Sequence, residues 1–351
     1  MQGVIPGVPR CVAQAPHGEV PDHRGGAVMR AASGWTLDSA AKDSFQAFTP
    51  GLAGPVWAAD GQSFDPARIT PIRHSLCGHP LLQLPRLRQL AESFVGTRHL
   101  NFVLPNRKKN SAFYTLSEAE AKTDIRHTFD QLESPGTWVG IYFAEADPDY
   151  RELITSVLDS MKPMIEPLDP GMHGYGLFFF IAAPPTVTPF HIDRENNFNI
   201  QILGRKRLRI WPATDRQAVP DEAVEEFFVN DSLGKLRLRE ELEPSAVDLE
   251  IGPGEGVYFP TPAGHFVTTE DKDWVKPGDG VSVSMALTYF TAATRRRAHV
   301  YLLNQCMRQR FSAQPTSPGT SGWVDAVKDP LAMALLRYRQ LRHHKAIPRG
   351  M

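Results

Sequence analysis

The chain has 351 residues, of which 42% are hydrophobic, so it can bury a sizeable core, and its length suggests two or three structural units. The formal net charge of -1 provides no global field that attracts nucleic acid or an anionic membrane, and no apolar run approaches the roughly 18 residues of a membrane span. The three cysteines are far apart and fit neither a disulfide framework nor a paired-cysteine zinc site. We therefore expect a protein of the reducing cytoplasm, with no membrane partner and no specific nucleic-acid partner.

The N-terminal third is predicted to be a tail followed by helices. Residues 1–35 are rich in Gly, Pro and Ala without periodicity, which indicates a disordered tail. From 36 to 135 we expect a helical or mixed region that packs on the core of the protein. Apolar residues recur at helical spacing from Leu82 to Phe94, which predicts an amphipathic helix there. A second helix is predicted to begin near Ser117, at the start of a capping-box pattern.

The region 136–292 is predicted to be the core and to consist mainly of β-strands. A helix is expected from Asp147-Pro148, and the β-rich segments lie at 138–143, 175–182, 199–203, 206–211, 256–260 and 281–290. The pair of segments around Gly204 resembles a hairpin. Many strands with Gly and Pro turns, and no regular alternation with helices, favour an antiparallel barrel or jelly roll over a doubly wound sheet.

The C-terminal region, 293–351, is predicted to be helical and basic. One helix is expected to run from Thr294 through Phe311, followed by a linker over 314–322. A final helix is predicted to start at Asp329-Pro330, with one apolar stripe along it, which consists of Leu331, Leu335, Tyr338 and Leu341. This C-terminal stripe has two possible roles, which are packing onto the barrel or contact with a second copy in a homodimer.

Three side chains form the main candidate site. His191 and Asp193 are two residues apart, so on a strand they point to the same face, and His265 follows about 70 residues later. Two histidines and one carboxylate form a facial triad that leaves coordination positions open, which suits non-haem iron(II) and oxygen chemistry. Zinc also accepts such ligands. A lone His-x-Asp pair occurs by chance in a chain with 12 histidines. The interpretation of the triad as a metal site therefore needs support from other residues that fit the same reaction.

A lysine on the following strand provides this support. After Gly204, Lys206 has the same strand parity as Leu208 and Ile210, whereas the neighbouring arginines have the other parity. Because the apolar residues must face inward, we expect Lys206 to face inward with them and to bind a carboxylate inside the barrel. The arginines are expected to form an exposed basic face.

The segment from Thr188 to Lys206, TPFHIDRENNFNIQILGRK, resembles the signature of the JmjC/cupin-like hydroxylases, which depend on Fe(II) and 2-oxoglutarate. The resemblance extends over roughly 138–290, and the chain is similar to the asparaginyl hydroxylase of hypoxia-inducible factor. It implies a double-stranded β-helix core, of the jelly-roll or cupin type, flanked by N-terminal and C-terminal helices. The aspartate at position 193, where demethylases of the family have glutamate, favours hydroxylation.

The resemblance also implies a role for each site residue. His191, Asp193 and His265 would be the catalytic iron ligands. The distal carboxylate of 2-oxoglutarate would be bound by Lys206 with Thr188 and Tyr142, and Asn197 would lie beside this co-substrate. The chain departs from the relative on the strand 281–290, where serines and a threonine stand in place of an asparagine.

The expected activity is hydroxylation of an unactivated C–H bond, with O2 and 2-oxoglutarate consumed. The substrate would be an amino-acid side chain in a peptide or protein, or a small metabolite. Two alternatives remain open from the sequence. One is a catalytically silent cupin-like module that binds a metal or ligand, and the other is a cupin metalloenzyme that does not use 2-oxoglutarate.

Overall fold

The computed structural model describes residues 54–59, 63–102, 108–111, 125–269, 280–343 and 350. The predicted tail at 1–35 and the predicted helix start at Ser117 lie outside the described residues. Within them the chain forms two antiparallel sheets, with helices before and after the main run of strands.

The described residues contain twelve strands and six α-helices. The strands are β1 Val56–Ala58, β2 Thr70–His74, β3 Leu100–Phe102, β4 Trp138–Ile141, β5 His173–Ala182, β6 Thr186–His191, β7 Asn196–Leu203, β8 Lys206–Ile210, β9 Val247–Ile251, β10 Glu255–Phe259, β11 His265–Thr269 and β12 Ser282–Phe290. The helices are α1 Leu84–Ser93, α2 Ile125–Asp130, α3 Pro148–Ile165, α4 Asp221–Asn230, α5 Ala292–Phe311 and α6 Gly322–His343.

The two sheets face each other as a jelly roll. The larger sheet has the order β1-β2-β10-β7-β12-β5-β4-β3, and the smaller has the order β6-β11-β8-β9. From β5 to β12 the chain passes back and forth between the sheets, and only β8 and β9 are consecutive strands of one sheet. This arrangement confirms the predicted fold class, a mainly β double-stranded β-helix with flanking helices.

The predicted hairpin around Gly204 is wrong. β7 pairs with β10 and β12 in the larger sheet, whereas β8 pairs with β11 and β9 in the smaller one. Gly204 has a φ of +65°, and a Cβ there would lie 2.7 Å from the carbonyl oxygen of Val281. A glycine is therefore needed where the chain crosses between the sheets, because an L-residue would be strained and would clash with backbone.

The outer face of the larger sheet carries the main hydrophobic core. Leu177, Phe198 and Met285, on three neighbouring strands, are fully buried in one cluster with α1 and α3. The predicted helix at Asp147-Pro148 is present as α3, and the Asp147 side chain accepts hydrogen bonds from the first turn. Since this face is filled by helices, the opposite face of the same sheet lines the space between the two sheets.

The C-terminal helices pack on each other and differ from the prediction at one boundary. The last helix, α6, begins at Gly322, seven residues before the expected start, and Pro330 lies inside it. Asp329 does not cap the helix, because it lies inside it, and its side chain forms a hydrogen bond with Nδ1 of His299 of α5. Leu336 of α6 is buried against α5, whereas Leu331 and Leu341 of the C-terminal stripe are 56% and 81% exposed.

Among the described helices, none is both apolar enough and long enough to cross a membrane.

Candidate metal centre

The interior of the barrel has an apolar side and a polar side. On the apolar side, Leu208, Ile210 and Val267 of the smaller sheet pack against Val257 and Phe259 of β10. The polar side is formed by residues of β7 and β12 whose side chains point away from the helices. A cavity with one polar wall is suited to a small polar ligand that must be kept away from bulk water.

Three rows of residues, paired across neighbouring strands, form the polar side and its borders. The near row is Gly176, Thr288, Asn197 and Phe259; the middle row is Phe178, Ala286, Asn199 and Val257; the far row is Gly140, Phe180, Ser284 and Gln201. Successive rows are two residues apart along the strands, which is about 7 Å. The rows therefore provide a scale for distances along the cavity.

The structure brings the three predicted metal ligands together beside the near row. His191 ends β6 and His265 begins β11, and the two residues pair directly in the sheet. Nε2 of His191 lies 3.9 Å from Oδ1 of Asp193, and Nε2 of His265 lies 3.7 Å from Oδ2 of the same carboxylate. All three candidate ligand atoms lie within 4.8 Å of one another. This donor set fits a divalent transition metal.

His191 and Asp193 do not share a strand face, contrary to the prediction. The strand β6 ends at His191, so Asp193 lies in the following loop. The loop is held from two sides instead. Thr261 Oγ1 donates to the Asp193 carbonyl oxygen at 2.6 Å, and Asn197 Nδ2 donates to Asp193 Oδ2 at 2.8 Å. The residue after Asp193 is also held in place, because the Arg194 side chain donates to the carbonyl oxygens of Phe227 and Phe228 at the end of α4.

The protonation of both histidines suits metal binding. Nδ1 of His191 lies 2.7 Å from the carbonyl oxygen of Pro189, and Nδ1 of His265 lies 3.1 Å from that of Ala263. A carbonyl oxygen can only accept, so each Nδ1 carries the proton and each Nε2 keeps its lone pair for a metal. Burial lowers the pKa of each histidine from 6.5 to about 4, so both are neutral at pH 7.

Lys206 lies at the other end of the polar wall. It is 3% exposed, and its Nζ donates to Ser284 Oγ at 2.7 Å in the far row. Its Nζ also lies 5.7 Å from the centre of the Phe180 ring. Burial lowers the pKa of Lys206 from 10.5 to about 7. Among the described residues no carboxylate pairs with it, and a ligand carboxylate placed beside Nζ would favour its protonated, cationic form.

The arginines near Lys206 face the other way, as their parity predicts. Arg207 forms a bidentate ion pair with Asp248 of β9, and Arg205 pairs with Glu250 of the same strand. These pairs lie on the outer surface of the smaller sheet, so they do not compensate the charge of Lys206 inside it.

Thr188 reaches the interior through an irregularity in β6. The register with β11 shifts between the pairs His265 with His191 and Val267 with Thr188. Simple alternation would put Thr188 on the face opposite His191, but the shift gives both residues interior positions, since Val267 belongs to the interior cluster. Thr188 is therefore on the wall that also carries Leu208 and, two residues away, Lys206.

Tyr142 follows directly after β4 and contacts the aromatic border of the cavity. Its ring lies 5.7 Å from the ring of Phe178 and 6.0 Å from that of Phe180, and both contacts are T-shaped. Because the Lys206 ammonium lies against the same Phe180 ring, Tyr142 is close to the far row. Thus the structure brings all seven predicted site residues to one cavity, with the triad and Asn197 near one end and Lys206, Thr188 and Tyr142 towards the other.

Three residues of this cavity were not predicted as site residues. Ser284 is one of the serines that stand in place of an asparagine on the strand 281–290, and its contact with Lys206 depends on strand pairing, which the sequence does not show. Thr261 acts through a loop contact over a sequence separation of 68 residues, which no local pattern indicates. Asn199 has the same parity as Asn197 on β7, and this signal could have identified it.

Comparison with known proteins gives structural matches only. No protein-family model and no curated protein matches the chain. A solved structure of YcfD from Escherichia coli covers 80% of this chain and 69% of its own, with 13% identity and a TM-score of 0.39. The same ribosomal oxygenase in complex with cobalt and 2-oxoglutarate covers 82% and 69%, with 12% identity and a TM-score of 0.39. At this identity and TM-score these likenesses do not indicate a function, and the resemblance to the hydroxylase of hypoxia-inducible factor stays a prediction.

Proposed function

We propose that the protein is an Fe(II)- and 2-oxoglutarate-dependent dioxygenase that hydroxylates an unactivated C–H bond. One observation carries the proposal. A single cavity has two neutral imidazoles and a carboxylate at one end and a buried lysine, with no carboxylate partner in the described chain, at the other. A ligand with a metal-chelating group and a distal carboxylate matches both ends at once, and 2-oxoglutarate is such a ligand.

The roles of the ligating residues follow from their positions. His191, Asp193 and His265 would bind Fe(II) on one face and leave the remaining positions for the co-substrate and O2. Bound iron would supply the activation of O2 that an unreactive C–H bond requires. In the overall reaction, one oxygen atom enters the hydroxylated product, the other enters succinate, and CO2 is released. Asn197 would keep the Asp193 carboxylate in its orientation through the hydrogen bond to Oδ2.

The far end of the cavity would bind the distal carboxylate. Lys206 supplies the positive charge, and Ser284, which already contacts its Nζ, supplies a hydroxyl beside it. We propose Thr188 and Tyr142 as further donors, which is supported by their positions along the same part of the cavity. A charged pair inside this apolar barrel is stabilised because little water competes for it.

The direct test is release of succinate from 2-oxoglutarate in the presence of Fe(II), ascorbate and O2. We expect the wild-type protein to release succinate and Asp193→Ala to release none. Asp130→Ala is the matched control, because the Asp130 side chain is 59% exposed at the surface of α2. Loss of turnover in both variants, or turnover that survives Asp193→Ala, contradicts the proposal.

A second variant separates the proposal from its two alternatives. Lys206→Ala is expected to weaken 2-oxoglutarate binding by about two orders of magnitude, since it removes a buried charge partner. Metal content should stay unchanged, and the exposed Lys235→Ala should behave like the wild type. Metal binding without any 2-oxoglutarate binding would indicate a different cupin metalloenzyme. Binding of both without turnover would indicate a catalytically silent module.

The substrate class and the partners are also proposed. We propose a cytoplasmic protein that modifies an amino-acid side chain of a peptide or protein, or a small metabolite, with no specific nucleic-acid or membrane partner.

The C-terminal stripe supports contact with a second copy, because Leu331 and Leu341 are largely exposed in the single chain. Light scattering should show a dimer that Leu341→Glu converts to a monomer, and a mass that the substitution leaves unchanged contradicts the homodimer.

A further inference from the structure

Three buried amides follow one another on the polar wall of the cavity. Asn197, Asn199 and Gln201 share one face of β7, and each is at most 6% exposed. Their side-chain oxygens, Oδ1, Oδ1 and Oε1, accept no hydrogen bond from any described residue. A buried acceptor without a donor is costly, so such a row inside a ligand cavity indicates groups that a ligand satisfies.

Asn199 differs from its two neighbours because, among the described residues, it forms no side-chain hydrogen bond and its cross-strand partners are apolar. Asn197 donates to Asp193, and Gln201 donates to Ser282 Oγ at 2.8 Å, so both amides also position other residues. The residues paired with Asn199 on either side are Ala286 and Val257, neither of which has a polar side chain. An apolar residue would fit this middle row better, so packing alone does not account for an asparagine there.

The middle row lies where the centre of a bound 2-oxo dicarboxylate would be. The near row contacts the metal ligands through Asn197, and the far row contacts Lys206 through Ser284. A molecule that spans these two ends would lie over the sheet face that carries Ala286 and Asn199, with its central carbons near the middle row. In 2-oxoglutarate these carbons are methylenes, which carry no N–H or O–H group that could donate a hydrogen bond to an amide oxygen.

We propose that Asn199 is a specificity-determining residue of this pocket. Its amide oxygen favours a 2-oxo dicarboxylate that carries an N–H or O–H donor on a central atom over one that has only methylenes there. The inference rests on the proposed function, because it takes a 2-oxo dicarboxylate to be the ligand of this cavity. It assigns Asn199 a contact with the co-substrate, in addition to the residues that bind the two ends.

The test compares two ligands that differ at the central position. N-oxalylglycine has an N–H where 2-oxoglutarate has the methylene next to the keto carbon. Dissociation constants of both would be measured by calorimetry on the Mn(II)-loaded protein without O2, for the wild type and for Asn199→Leu, which has a similar volume. The ratio of the two constants within each protein cancels general changes in the pocket. Asn199→Ser is the second variant if the leucine variant does not fold, and the exposed Asn230→Leu is the control.

We expect the preference for N-oxalylglycine to fall by about two- to tenfold in Asn199→Leu, which is the effect of one net hydrogen bond. Asn230→Leu should keep the wild-type ratio. A ratio that is unchanged or increased in both Asn199 variants overturns the inference and leaves the proposed function standing. If neither ligand binds to the wild type, the proposed function fails, and the inference fails with it.

Discussion

Replacement of Lys206 by methionine should make the protein more stable and unable to bind its co-substrate tightly. The lysine is almost fully buried, with its Nζ beside the Phe180 ring and Ser284, and it pairs with no carboxylate in the described chain. Methionine has a similar length and fills the same space without a charge. Removal of a buried cationic group that lacks a partner usually stabilises the folded state.

The size of the effect follows from the lowered pKa of Lys206. A pKa of about 7, compared with 10.5 in the unfolded chain, corresponds to a cost of about 4 kcal/mol at pH 7. Loss of the hydrogen bond to Ser284 offsets about 1 kcal/mol of the gain. The methionine variant should therefore be about 3 kcal/mol more stable than the ligand-free wild type at pH 7.

The sign of the pH dependence is fixed by the same pKa. Between pH 7 and 10.5 the unfolded chain binds a proton at Lys206 that the folded protein does not, so wild-type stability rises with pH across this window. From pH 7 to 9 the difference between the two proteins should shrink by about 2 kcal/mol. Denaturant unfolding of both proteins at pH 7 and pH 9 measures this difference. A methionine variant that is less stable at pH 7, or a difference that does not change with pH, would refute the reasoning.

Three further substitutions test the supports of the site and of the fold. Gly264→Ala places a methyl group 2.8 Å from the Phe190 ring, so it should displace the adjacent ligand His265, weaken Mn(II) binding measured by calorimetry, and destabilise the protein by about 1–3 kcal/mol. Thr261→Val removes the hydrogen bond to the Asp193 carbonyl oxygen and should weaken Mn(II) affinity by about tenfold with little change in melting temperature. Gly204→Ala combines a φ of +65° with a clash against backbone, so thermal unfolding should show a loss of about 2–4 kcal/mol. Wild-type behaviour in any of the three contradicts the role given to that residue.

The fold class and the candidate site were predictable because they depend on local patterns. Apolar β-rich runs with turn residues identified six of the twelve described strands, and period-two alternation placed Lys206 on the apolar face of β8 and the arginines on the other face. The His-x-Asp spacing and a later histidine indicated the triad, although Asp193 lies in the loop after β6 and His265 begins a strand. These predictions used only the types of side chain and their spacing along the sequence, without knowledge of which strands pair.

Other features depend on which strands meet, and local patterns do not determine that. The Gly204 turn has the length of a hairpin, but the chain there crosses between sheets, because β7 has two partners elsewhere. The shift in β6 that turns Thr188 inward appears only in the register with β11. Asp329 has the sequence context of a helix cap, yet it lies inside α6 and its hydrogen bond with His299 comes from the packing of two helices.

A crystal structure of the protein with Mn(II) and 2-oxoglutarate, grown without O2, tests the central claim most directly. The account predicts one strong anomalous peak coordinated by His191, Asp193 and His265, with the keto-acid end of the ligand on the ion and its distal carboxylate on Lys206. An ion bound at a different set of residues, or a ligand that leaves the lysine without a carboxylate, would contradict the account.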